Sequence, residues 1–428
     1  MVCRAVLWYA CGEYRKCPAA RLSQPGERLQ KGGREMVQGD YRRLFWHRRT
    51  ARWLDVNGLV LLSEMPEIAV WLETMLQGAR TEILLENYIF QEGRWPGRIL
   101  DILCDRARSG VHVHLRLDAL GSRGFPARWI SRLEEAGGTF EWYHRLAWKG
   151  WEKRLRRTHR RLLAIDGTWL AVGGFAFADS WLSGVPGGRP YREILLACSG
   201  PVAERGRELF YRQLPRIYWP AVTPPEPPLP LRPDPVWGPV RLLAGTPPRQ
   251  TAIRRRYLAA FRSARESIWV ASPYFSPDPR LLSLLYAAAR RGVDVRVLLA
   301  GRVTDHPLLR LGIQAYYQNL LRHGVRVYEY EGSFLHGKYV LVDGRWACTG
   351  SANLDFLSLW FNRELNLELR GAAPTGLFRT LFLREFAQAR EVFLERWEKR
   401  SPGRRFLEWL MARVDRQIQA RALGARRY

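Results

Sequence analysis

The chain has 428 residues, 47% of them hydrophobic and 12% aromatic, which is enough apolar material for a substantial core and excludes a disordered basic tail. Its 68 lysines and arginines against 41 acidic residues give a formal charge of +27, which points to a polyanionic partner, nucleic acid or an anionic bilayer, without choosing between them. No stretch approaches the roughly 18 consecutive apolar residues of a membrane-spanning helix, so none is expected.

Residues 1–35 are polar, Gly-rich and unpatterned and read as an unstructured extension, with Met36 standing just ahead of the first structured-looking segment. The apolar run AVLWYAC is too short, and too poor in small residues where a cleavage site would fall, for a signal peptide. A first α/β lobe is expected over residues 36–218. Within it EILLENYIF is β-rich, GRILDILCDRARSG repeats apolar residues at three- and four-residue steps, and SGVHVHLRL is a second strand entered through a glycine turn. His112 and His114 share a face of that strand, but with no further ligand nearby they read as the wet side of a half-exposed strand, not as a metal site. The segment WYHRLAWKGWEKRLRRTHRR mixes tryptophan with cations and is expected, from Trp142 to Arg157, to form a headgroup-facing rim.

THRRLLAIDGTWLAVGG follows. His159 and Arg161 fall on one face of an expected strand, Asp166 and Gly167 make a tight turn, and TWLAVGG returns. Residues 219–239, WPAVTPPEPPLPLRPDPVWGP, can hold neither a helix nor a central strand and read as a stiff connector. A second lobe, 240–400, repeats the first. ARESIWVASPYFSPD and PRLLSLLYAAARRGVDVRVLLAGRVTD match the earlier strand, helix and strand in order and spacing, and LHGKYVLVDGRWACTGS matches the later turn. Both copies read His, one residue, a cation, four residues, Asp, six residues, Gly. A lone instance of that spacing is worth little, but two instances at equivalent places in an internal repeat carry weight. Lys338 is also conspicuous, because lysine occurs elsewhere only at 16, 31, 149, 153 and 399. The tail, 401–428, sets Phe406, Leu407, Leu410, Met411, Val414 and Ile418 along one helical face. Such a stripe reads first as packed core, with a membrane anchor as the alternative.

A histidine beside a fixed cation suits phosphoryl chemistry. The cation holds nonbridging oxygens, and imidazole acts as nucleophile or proton carrier. Two such pairs serve opposite sides of one phosphorus, and with the charge met by Lys and Arg neither metal nor cofactor is needed. The six cysteines, at 3, 11, 17, 104, 198 and 348, show no CxxC pair and read as reduced, mostly buried thiols in a cytoplasmic setting.

The twin motif, together with LENYIF, LDALGS, GSANLDFLSLWFNREL and HPLLRLGIQAYYQNLLRHGVRVYEYEGSFLHGK, resembles the phospholipase D superfamily, and within it the bacterial cardiolipin synthases that lack transmembrane helices. The resemblance covers most of residues 50 to 370. It implies an α/β fold of two pseudo-twofold-related α-β-α-β-α sandwich lobes with one active site between them, where His159 and His336 converge. It implies catalytic roles for His159, Arg161, Asp166, His336, Lys338 and Asp343, with His159 as the nucleophile. Ser351 and Asn353 would contact phosphate, and Glu193 and Glu364 would hydrogen-bond the motif histidines. The first motif departs from the family pattern at Arg161, where Lys is usual, at Ala176, where Asn is usual, and at YRE instead of WRD, which implies a looser phosphate grip in that half.

The implied activity is transfer of a phosphatidyl group from phosphatidylglycerol to a second phospholipid, at the cytoplasmic face of the cell membrane, with the membrane surface as partner and no metal. A hydrolytic phospholipase D, a metal-independent nuclease of the same superfamily and a non-catalytic binder of anionic lipid are the alternatives. Two lobes in one chain disfavour the nuclease and a nucleic-acid partner, since small nucleases of the superfamily dimerise a single copy.

Overall fold

The computed structural model describes residues 53–143, 157–184, 188–212, 238–245 and 252–424, with side chains in the last helix described to 417 and at 419. The expected extension at 1–35, nearly all of the connector at 219–239, residues 144–156 of the aromatic and basic segment, Cys3, Cys11, Cys17 and the Ile418 side chain lie outside the described residues.

Two mixed sheets carry the fold. The first contains β2 (Gly58–Glu64), β3 (Glu82–Asn87), β4 (His112–Asp118), β5 (Thr139–Tyr143), β6 (Leu162–Ile165), β7 (Trp169–Gly173) and β8 (Arg192–Ser199), in the order β2-β8-β7-β6-β3-β4-β5. The second contains β1 (Leu54–Asp55), β9 (Pro239–Gly245), β10 (Ser267–Ser272), β12 (Asp294–Ala300), β13 (Arg326–Tyr330), β14 (Tyr339–Val342), β15 (Trp346–Gly350), β17 (Glu364–Arg370) and β18 (Ala389–Val392). Its order is β1-β9-β17-β15-β14-β10-β12-β13-β18. With β1 and β18 removed from its edges, the second order is the first repeated strand for strand. The pairing senses agree as well: β3 runs parallel to β4 as β10 does to β12, and β3 antiparallel to β6 as β10 does to β14. A short pair, β11 (Phe275–Ser276) and β16 (Leu354–Asp355), stands beside the second sheet.

The central strands are apolar on both faces because both faces are covered. In β3, Ile83 and Leu85 join an outer core while Leu84 joins a cluster shared with the other sheet. In β10, Ile268 and Val270 face the second outer core while Trp269 and Ala271 face the shared one. That shared layer, which includes Leu162, Val172 and Leu196 from one sheet and Leu341, Ala347 and Leu367 from the other, fixes the two halves against each other. At about 25 cal/mol per Å² of apolar surface, such a layer of large aliphatic side chains contributes tens of kcal/mol before conformational entropy is counted.

The tight turns form as the sequence requires. Asp166 and Gly167 have φ of 52° and 64°, and Asp343 and Gly344 have 51° and 61°, the left-handed pair that an Asp-Gly hairpin demands.

Three expectations are corrected. His336 and Lys338 precede β14 instead of lying within it, as His159 and Arg161 precede β6. β4 is not half-exposed: His114 is buried, and Arg116 lies 4.1 Å over the Phe210 ring while its Nε donates to Glu141 at 2.8 Å. On the polar face of that strand Arg116 pairs with Glu86 and Glu141 beneath the Pro201–Tyr211 helix instead of facing water. Finally, the Pro402–Gly424 helix buries only part of its apolar stripe: Phe406, Leu407 and Leu410 are exposed, Met411 and Val414 are half-buried, and Glu408 is buried on the inward side.

Candidate active site

Each motif is held extended before it enters its sheet. Arg157 donates to Asp118 from Nε at 3.0 Å and from Nη2 at 2.6 Å, the Thr158 N–H donates to the same carboxylate at 3.0 Å, and the Thr158 hydroxyl donates to Glu86. Arg157, expected on a headgroup-facing rim, is therefore a buried clamp, which corrects that reading at its last residue.

The two motifs are then joined across the halves by backbone. The His159 N–H donates to the Arg363 carbonyl at 2.9 Å, while the His336 and Gly337 N–H groups both donate to the Arg192 carbonyl, at 2.7 and 3.0 Å. Arg192 and Arg363 each precede a glutamate, so these contacts deliver Glu193 to His336 and Glu364 to His159. Glu364 Oε1 lies 2.9 Å from His159 Nδ1 and Glu193 Oε2 lies 2.5 Å from His336 Nδ1. With Nδ1–H donated to carboxylate, each Nε2 is left for chemistry. Each histidine is thus oriented by a carboxylate from the opposite half, a crossing that spacing along the chain did not reveal.

The cations sit close behind. Lys338 Nζ lies 3.0 Å from the His336 ring nitrogens and donates to the His336 carbonyl at 2.5 Å, and Arg161 Nη1 donates to the His159 carbonyl at 2.6 Å. Burial pulls the Lys338 ammonium down to about 7, against the opposing charge of Glu193. Burial resists ionisation of Glu193, yet the charges of His336 and Lys338 and the Ile194 N–H hold it down at about 2. Glu364 behaves oppositely: burial pushes it well above the usual carboxylate range, with the Ser351 hydroxyl and Arg161 too weak to reverse it. Burial, Arg161 and Lys338 hold His159 well below its ordinary value, and burial and Lys338 lower His336 against Glu193.

Other expected site residues fall elsewhere. Asp166 and Asp343 do not reach the histidines, since each follows the far end of a four-residue strand, β6 or β14, that spans roughly 13 Å. Asp166 accepts from the N–H groups of Arg80, Thr81 and Glu82, and Asp343 from those of Arg265, Glu266 and Ser267. They anchor the starts of β3 and β10 and touch no reacting atom. Ser351 is fully buried behind Glu364, donating to its Oε2 at 2.5 Å and accepting from the Leu365 N–H at 2.9 Å, so it braces the carboxylate and is not part of the cavity wall. Asn353 does line the cavity, and its buried Oδ1 has no partner among the described residues. Ala176 is buried among the aromatic side chains of the first outer core.

The cavity has a volume of about 240 Å³. His159, Arg161 and His336 line it, together with Tyr88, Trp181 and Tyr274, and an apolar wall of Ile89, Leu309, Ile313, Phe356, Leu357 and Met411 leads away from them. The Tyr88 ring stands 5.0 Å from that of His159, and the Trp181 ring 5.4 Å from that of His336. Sequence reasoning missed Tyr88, Trp181, Gly174 and Asp415. Gly174 was accessible to it, since it occupies the place of Ser351 in the repeat. A Cβ there would fall 2.4 Å from Glu193 Oε1 and 3.1 Å from Lys338 Nζ, so only glycine admits that pair.

A fold of two repeated sheets with a paired histidine–cation centre on their seam defines a phospholipase D-like protein. The family model described as cardiolipin synthase, PLD-like domain, matches residues 257–388. The chain is 32% identical over 339 residues to cardiolipin synthase 2 of Bacillus anthracis, covering 78% of this chain and 65% of that protein. It is 32% identical over 355 residues to cardiolipin synthase A of Pseudomonas fluorescens strain SBW25, covering 80% of this chain and 70% of that one. Among solved structures, phosphatidylserine synthase of Haemophilus influenzae Rd KW20 shares the fold, with a TM-score of 0.67 at 12% identity, covering 88% of this chain and 99% of that chain. The chain belongs to the cardiolipin synthase family of phospholipase D-like proteins. It spans 65% of the length of the Bacillus anthracis relative.

Proposed function

We propose that the protein is a phosphatidyltransferase that makes cardiolipin from phosphatidylglycerol and a second phospholipid. The observation that carries this reading is the cavity, where two histidines, each supported by a carboxylate from the opposite half, stand with Arg161 at one end of a lining whose Ile89, Leu309, Ile313, Phe356, Leu357 and Met411 form an apolar stretch, as an amphiphile with a phosphodiester head requires.

In the first step His159 Nε2 attacks the phosphorus of phosphatidylglycerol, the bond to the glycerol oxygen breaks, and His336 gives that oxygen its proton. In the second step His336 takes the proton of an acceptor hydroxyl, the hydroxyl oxygen attacks phosphorus, and the phosphorus–nitrogen bond breaks to restore His159. Two phosphatidylglycerols then yield one cardiolipin and one glycerol. The electrostatics support this assignment, though burial and Lys338 lower both histidines. A nucleophile works unprotonated, and burial and the neighbouring cations favour neutral His159. A proton carrier alternates with imidazolium, and ionised Glu193 supports that charge on His336. Arg161 and Lys338 meet the charge on the nonbridging oxygens, and Asn353 contacts the phosphate.

The protein would act peripherally at the cytoplasmic face of the membrane, in keeping with free, buried Cys104, Cys198 and Cys348. No helix among the described residues is long and apolar enough to cross a bilayer. The test is purified protein with labelled phosphatidylglycerol vesicles, the products separated by thin-layer chromatography. Cardiolipin with equimolar glycerol is expected. Phosphatidic acid as the sole product would make the protein a hydrolase, and no turnover would remove the transferase reading.

A further inference from the structure

The Pro402–Gly424 helix is mounted with Glu408, Asp415 and Met411 inward. Buried Glu408 accepts from Arg400 at 2.9 Å and Arg404 at 3.3 Å, and Asp415 accepts from Ser276 at 2.5 Å, Tyr316 at 3.2 Å and Gln419 at 3.0 Å. Outward it presents Phe406, Leu407, Trp409 and Leu410, exposed by 59, 49, 48 and 39%. These are four of the eight large hydrophobic side chains exposed among the described residues, gathered within five positions. A concentration of that kind marks an interaction surface, whereas scattered exposed apolar residues need no explanation.

Arginine is interleaved with the patch. Arg405, Arg413 and Arg416 are exposed, and Arg413 lies 5.6 Å over the Trp409 ring. The same helix reaches the active-site cavity, where Met411 and Asp415 form part of the wall.

We propose that this helix docks the protein on an anionic phospholipid bilayer. Its four apolar side chains enter the boundary between headgroups and acyl chains, and its arginines meet the phosphates. The charge of +27 and the arginines beside the patch favour anionic lipid over a second apolar protein surface. Because one face of the helix meets lipid while the other walls the cavity, docking brings the site to the depth where phospholipid headgroups lie. This inference rests on the reading of the cavity as a phospholipid site.

The test uses the full chain and vesicles of phosphatidylglycerol and phosphatidylcholine. Phe406→Ser, Leu407→Ser, Trp409→Ser and Leu410→Ser together are expected to lower vesicle affinity at least about tenfold in sedimentation, given the apolar area removed. They should leave turnover of short-chain phosphatidylglycerol, supplied below its micellar concentration, unchanged. Arg405→Ala, Arg413→Ala and Arg416→Ala together should weaken binding to the anionic vesicles and not to phosphatidylcholine alone. In the unaltered protein, deuterium exchange over residues 402–417 should slow with anionic vesicles. Unchanged sedimentation of the fourfold serine variant would overturn the proposal, as would an absence of slowed exchange. Equal loss on monomeric and vesicular lipid would make the helix a cavity wall and nothing more. A dimer abolished by the serine substitutions, with vesicle binding intact, would assign the patch to a second copy. If the unaltered protein binds vesicles through this helix yet turns over phosphatidylglycerol in neither form, the proposed function fails while the docking surface stands.

Discussion

Glu193 Oε2 lies 2.5 Å from His336 Nδ1, although the two residues are 143 positions apart and are attached to different sheets. Glu364 returns the same contact to His159, but the two carboxylates differ in charge. Lys338 and His336 face Glu193 and keep it ionised, whereas burial dominates at Glu364 and favours its neutral acid.

The asymmetry has a measurable result. Glu193→Gln removes a charge that supports imidazolium on His336, and kcat is expected to fall at least about a hundredfold, within the range of general acid–base contributions. Glu364→Gln keeps the shape at a position where burial already opposes the carboxylate charge, and should cost roughly tenfold or less. Steady-state rates of the two variants decide it, and equal losses would mean that both carboxylates are charged at work.

His159→Ala and His336→Ala should each abolish transfer, because nucleophile and proton carrier act as a unit. Rapid acid quenching should trap a phosphorus–nitrogen bond on His159 in the protein with His336 intact. Label recovered on His336 would exchange the two roles.

Lys338 carries the pH dependence. Its free-enzyme value of about 7 means that the ammonium is present below neutrality and lost as pH rises through 7, so kcat/KM should decline above that point. A bound phosphate anion stabilises the ammonium, so the decline in kcat should lie at higher pH. Lys338→Arg should be damaging, since a larger planar guanidinium would replace an ammonium packed 3.0 Å from the His336 ring nitrogens, and Arg161→Lys should be tolerated. A flat kcat/KM profile from pH 6 to about 9 would show that Lys338 keeps its proton throughout.

Asp343→Ala tests the reassignment of the motif aspartates. Losing one carboxylate leaves three backbone N–H groups of the Arg265–Ser267 segment without their acceptor and should cost about 3 kcal/mol of stability by denaturant titration. Folded protein at low temperature should keep kcat within a few-fold. Loss of kcat without loss of stability would restore Asp343 to the chemistry.

Much of this was legible in the sequence. The repeat was visible because β-rich runs, glycine turns and motif spacing recur locally, and the Asp-Gly turns were visible because φ above zero limits the choice of residue. The site residues that spacing misjudged depend on non-local geometry. The direction of Asp166 and Asp343 follows from which strand starts next to theirs, and the pairing of Glu193 with His336 from how the two sheets face each other. The amphipathic stripe of the C-terminal helix was correctly seen as apolar, but periodicity reports that a face exists and not what it meets. Here buried ion pairs at Glu408 and the Asp415 network turned it outward.

The carbonyls of Arg192 and Arg363, each accepting from a motif histidine in the other half, make the separation of the two histidines a property of main chain. Substituting side chains around the cavity can retune its charge without altering that separation, whereas inserting a single residue between Arg192 and Glu193, or between Arg363 and Glu364, would dissociate the carboxylate from the register that aims it. The two copies of the repeat can consequently differ in composition, as Arg161 and Ala176 differ from Lys338 and Asn353, but not in length at these two points. Two separately expressed halves should each be inert and regain activity on mixing only insofar as both cross-half backbone bonds re-form together.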